Sequence, residues 1–153
     1  MNLLLSLSDE TRLDWLDAPT RRALTAIAAG LQPEGRAVGL VVVGDEEIRA
    51  INRDFRSVDA ATDVLSFSYL DEGEPLEPGD PVGEIYVSFE TLEREARELR
   101  VDVKQLFLRV GVHGLLHVLG YDHADDAGAE RMEQAERTAL LSFLDADDVD
   151  RLF

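Results

Sequence analysis

The amino-acid sequence predicts an α+β fold, a small mixed four-stranded sheet with about five helices and one helix central to the rest. Four short segments at 2–7, 36–44, 62–70 and 83–89 are aliphatic or β-branched, as strands are. Between and after them, apolar residues recur at helical spacing, and the resulting order β-α-β-α-β-β-α-α-α suggests this class. The segment 102–119 is apolar on two sides, the mark of a helix buried in the middle of its domain.

Taken in order, "NLLLSL" at 2–7 is the first strand, and "DWLDAPTRRALTAIAAGL" at 14–31 has helical periodicity, with Pro19 leaving its start open. "RAVGLVVVG" at 36–44 is the second strand and "DEEIRAINRDF" at 45–55 the second helix. "TDVLSFSYL" at 62–70 and "GEIYVSF" at 83–89 are strands separated by a loop rich in Pro, Gly and acid over 70–83. In "SFETLEREARELR", 88–100, Leu92, Ala96 and Leu99 share one helix face. Asp102 caps the central helix, where Leu106 and Val110 begin a stripe that continues into His113 and His117. Leu108, Val112, Leu115 and Leu119 form its second stripe, and Gly120 ends it in a left-handed cap. A last helix from about Asp125 packs through Met132, Ala135, Ala139, Leu140 and Phe143; the acidic tail to Phe153 is expected to fray.

A chain of 153 residues fits one domain, 1–153, with a real core. No apolar run is long enough to span a bilayer, "MNLLLSLSDE" lacks the basic start of an export signal, and the absence of cysteine suits the cytoplasm. Any metal must therefore take nitrogen or oxygen ligands. The net charge of −17 argues against a protein that coats nucleic acid, because such binding draws on many Lys and Arg contacts to phosphate. The acid is uneven: seven basic residues against ten acidic up to Ala60, net −3, and eight against 22 beyond, net −14.

All three histidines fall in "VGVHGLLHVLGYDHADD", residues 110–126. His113 and His117 lie one helical turn apart and point two imidazoles at one place; a reversal at Gly120 returns His123 to it. This H-x3-H-x2-G-x2-H spacing is that of the metzincin zinc motif, three nitrogen ligands with a fourth position left for water. Metallopeptidases of that motif carry Glu after the first His as general base; here Gly114 stands there, which argues against peptide hydrolysis. Asp122 either orients a ligand imidazole or takes a proton, or else simply forms the Gly-Tyr-Asp turn, and Glu84 is a weaker carboxylate candidate.

The segment "HGLLHVLGYDH" resembles the signature H-G-x-L-H-L-x-G-Y-D-H of the YbeY family of bacterial rRNA maturation factors. "INRDFRSVDAATDVLSF" at 51–67 and "VGEIYVS" at 82–88 are similar to two further stretches of that family, and "RMEQAERTALLSFL" is placed like its C-terminal helix. The resemblance implies a zincin-like arrangement with one zinc held by His113, His117 and His123, and an important arginine, carried onto Arg56. It also implies a metal-dependent endoribonuclease of single-stranded RNA, acting in 16S rRNA 3′-end maturation and ribosome quality control. Ser57, Ala61 and Glu84 depart from the family's usual Gly, Pro and Asp. From spacing alone Arg56 reads as a surface arginine paired with Asp54 or Asp59; the resemblance instead makes it a phosphate-neutralising group. A rival reading is a non-catalytic assembly factor in which zinc pins the fold and the acidic surface binds small-subunit proteins or an assembly GTPase.

Overall fold

Three parallel strands and one antiparallel edge strand make the sheet, in the order β1-β2-β4-β3: β1 is Asn2–Leu7, β2 Ala37–Val43, β3 Val64–Ser68 and β4 Pro81–Ser88. The computed structural model describes residues 1–8, 13–32, 35–70, 76–77 and 79–153; of the loop expected over 70–83, residues 71–75 and 78 lie outside this description. Six helices occur among the described residues: α1 Ala18–Leu31, α2 Asp45–Arg56, α3 Phe89–Leu99, α4 Val103–Val118, α5 Asp126–Leu140 and α6 Ala146–Arg151. The mixed four-stranded α+β prediction holds.

Helix α4 is the centre. It packs on β3, β4, α1, α3 and α5, and ten of its sixteen residues are buried, drawn from both predicted stripes. Asp102 caps it by accepting Lys104 N–H at 2.8 Å. The core cluster runs from Met1 to Leu152, so the last residues of the chain share in it.

The start of α1, left open by the sequence, is at Ala18, because the Asp17 carboxylate accepts Thr20 N–H at 2.9 Å and Pro19 fits only a first turn. Three expectations are corrected. Leu99 is 54% exposed: the chain turns at left-handed Arg100, and Val101, whose N–H bonds Ala96 O, packs against the core instead. Phe143 is 46% exposed because α5 stops at Leu140, and Leu144 packs inward in its place. The acidic tail is not frayed. Asp145 caps α6, Val149 and Leu152 are buried, and Arg109 donates to Leu152 O and stacks on the Phe153 ring.

Faces follow from the ladder. Tyr69 N–H reaches Val82 O and Ser88 N–H reaches Asp63 O, so odd-numbered β3 residues bond to β4 and Ser66 turns its amide groups to the free edge. Ser68 Oγ donates to Val118 O at 2.8 Å, so Ser66 and Ser68 face α4, whereas Phe67, Glu84 and Tyr86 face away from it.

Candidate metal centre

Side chains one turn apart on α4 bring His113 and His117 together, with Nε2 atoms 3.1 Å apart. Gly120, at φ +100, reverses the chain: its N–H returns to His117 O and that of Tyr121 to Leu116 O. An L side chain is disfavoured at such a φ, so the glycine identified from sequence is required by the turn itself. The reversal sets the His123 ring 5.7 Å from that of His113 and 4.8 Å from that of His117.

One nitrogen from each imidazole lies within 4.8 Å of the other two. A tetrahedral zinc with nitrogens at 2.0–2.1 Å holds them about 3.4 Å apart, so the cluster is within a small adjustment of a tridentate nitrogen site. The donor set, three imidazoles of which that of His123 is exposed, is of a kind that zinc accepts. Burial, then the neighbouring rings of His113 and His123, holds the His117 pKa below its ordinary value, favouring the neutral form that binds metal.

A residue absent from the sequence reading completes the site. Glu136 of α5 is 3% exposed, and its Oε1 lies 2.5 Å from His113 Nδ1. A buried carboxylate is costly unless paired, and this pairing fixes His113 with Nε2 toward the cluster. The signal was present in sequence: Met132, Glu136 and Leu140 form a stripe of spacing four, and its middle member is charged.

Asp122, the sequence candidate for such a role, is exposed and accepts Ala124 N–H at 3.0 Å, the geometry of a turn former. Glu84 is on the sheet face away from α4, accepting the Tyr86 hydroxyl at 2.8 Å. The residue after the first ligand, Gly114, faces the sheet: a Cβ there would lie 2.8 Å from Ile85 Cγ2.

Arg56 ends α2 and donates through Nη2 to Ser66 O at 2.7 Å on the free edge of β3. Its guanidinium lies 5.0 Å from the Phe67 ring centroid. Neither expected acid is its partner, since Asp59 pairs with Arg49 and Asp54 with Arg53. The cavity it lines opens on the face away from α4 and contains no histidine. The structure therefore groups the three histidines and sets Arg56 apart, along the edge strand.

A family model described as "Endoribonuclease YbeY" matches residues 8–144 of this chain. The chain belongs to the YbeY family. A curated YbeY endoribonuclease of Paramagnetospirillum magneticum is 41% identical over 132 residues, covering 84% of this chain and 80% of the relative. One from Rhizobium meliloti is 41% identical over 139 residues, 91% of this chain and 78% of that protein. The solution structure of a Thermotoga maritima protein, 26% identical, superposes over 96% of this chain and 95% of its own, with a TM-score of 0.58. The departure from the YbeY pattern at Ser57 now has a physical reading: Ser57 has φ 60, a left-handed conformation that glycine adopts without strain.

Proposed function

We propose that this chain is a zinc-dependent endoribonuclease of single-stranded RNA, acting in the cytoplasm on the 3′ end of 16S rRNA during ribosome maturation and quality control. The carrying observation is the three-imidazole cluster at the end of α4 in a chain of the YbeY endoribonuclease family. His113, His117 and His123 would hold the ion, which when bound supplies Lewis-acid polarisation of the phosphodiester and activation of water.

The chain's own residues do the positioning. Glu136 holds His113 in one ring orientation, and Asp122 shapes the turn that returns His123. Arg56, without a carboxylate partner among the described residues, presents a guanidinium at the edge of β3 for a substrate phosphate. The substrate strand runs along that edge, which Ser68 ties to the histidine-bearing end of α4. With 32 acids against 15 bases, affinity is supplied locally and by small-subunit proteins or an assembly GTPase on the pre-ribosome.

The test compares wild type with a His113→Ala/His117→Ala variant prepared identically, assaying metal content and cleavage of a 16S 3′-end precursor. About one zinc per chain and cleavage, both lost in the variant, are expected. Cleavage common to both preparations would refute the assignment, and zinc without cleavage would leave a non-catalytic assembly factor.

A further inference from the structure

On the face away from α4, a cavity of about 420 Å³ is lined by Phe55, Arg56, Phe67, Tyr69, Glu84 and Tyr86. Its aromatic rings form a series. Phe55 stands edge-to-face with Phe67 at 5.7 Å between centroids, and Phe67 with Tyr86 at 6.1 Å. Phe55 is 72% exposed, more than any other large hydrophobic side chain among the described residues. A ring so exposed contributes little to the core, yet its neighbours hold it at the mouth of the cavity.

The polar groups there are arranged for a base and a phosphate together. Arg56 offers a cation with no carboxylate partner among the described residues, beside acids that are engaged by Arg49 and Arg53. Glu84 accepts the Tyr86 hydroxyl on Oε2, leaving Oε1 as a hydrogen-bond acceptor in the cavity wall. Burial, and then the Glu84 hydrogen bond, pushes the Tyr86 phenol up to about 12, so Tyr86 remains the donor and Glu84 the acceptor.

We infer that this cavity is a nucleobase subsite, in which one unpaired base of the RNA stacks on Phe55, its adjoining phosphate meets Arg56 and its exocyclic amine donates to Glu84. Stacking on aromatic rings suits a chain of net charge −17, because it adds affinity without counterion release. The amine requirement favours adenine, cytosine or guanine over uracil. The inference rests on the endoribonuclease reading, since it names where that substrate is gripped.

The test is single-turnover cleavage of single-stranded RNA by the zinc-loaded protein at varied protein concentration, separating half-saturation from maximal rate. Phe55→Ala should raise the half-saturating concentration about five- to a hundredfold, the range for loss of one stacked base, with maximal rate and zinc content unchanged. Phe55→Trp should restore binding, and its added fluorescence should be quenched by oligoadenylate and less by oligouridylate. Cleavage by Phe55→Ala indistinguishable from wild type, or no quenching in Phe55→Trp, would overturn the subsite, leaving the aromatic series as a protein contact. If wild type itself neither binds nor cleaves single-stranded RNA, the endoribonuclease reading falls with it.

Discussion

His113, His117 and His123 were legible because helical spacing and one turning glycine suffice to converge them; Glu136 was not, because its partner is 23 residues away on another helix. Only the charged middle of the stripe from Met132 to Leu140 marked it. If Glu136 orients His113, Glu136→Gln should weaken zinc affinity about tenfold and Glu136→Ala up to about a hundredfold in competition with a chelator. Unchanged affinity would reduce Glu136 to packing. Arg56 was placed by family resemblance, since its spacing pointed to Asp54 or Asp59 and both choose other arginines. Arg56→Ala should leave zinc content intact and slow cleavage about a hundredfold, some 3 kcal/mol, with Arg56→Lys recovering part because an ammonium lacks the bidentate fork. Turnover equal to wild type would remove Arg56 from the mechanism, and lost zinc would make its role structural.

Strands and helix types were readable from periodicity, but the ends of elements depended on caps and on what neighbours left room for. Helix α6 was missed because its apolar residues Ala146, Val149 and Leu152 are spread thinly through a run of acids, and the contacts of Arg109 from the distant α4 with Leu152 O and the Phe153 ring cannot be read from spacing. Helix α2 closes on Ser57 at φ 60, a conformation costly for any residue with a Cβ. Ser57→Gly should raise stability by about 0.5–1 kcal/mol, read as a higher urea midpoint at constant slope; a lower midpoint would show that the serine compensates in the folded state. On α3, burial and the nearby Asp63 carboxylate push Glu95 up to about 7. A carboxyl raised in the folded state binds its proton more tightly there than when unfolded. Its stability contribution is present below the unfolded value of 4.5 and is lost as pH rises through about 7. Glu95→Gln should therefore stabilise at pH 8, by on the order of 1 kcal/mol after allowance for solvent screening, and flatten the stability profile between pH 5 and 7. A profile that keeps its slope would assign the dependence elsewhere.

At the scale of the molecule, sheet class, central helix and acid bias were all apparent from sequence, because each is a sum over many residues. Which face of the sheet Arg56 serves was not, because that depends on the ladder register of β3, and a shift of one residue exchanges the faces. With acids outnumbering bases by 32 to 15, the isolated protein should bind RNA with a shallow salt dependence. A log-log slope implying six or more phosphate contacts, at roughly 0.7 per contact on a single strand, would contradict this and reveal a basic track. No helix among the described residues is long and apolar enough to cross a membrane. The contact between Gly114 and Ile85 also bears on what this architecture is able to become. At the position where metallopeptidases of the same ligand spacing keep a proton acceptor, any Cβ would run into the fully buried Ile85 side chain. Gaining a carboxylate there therefore takes a second change that makes room at Ile85.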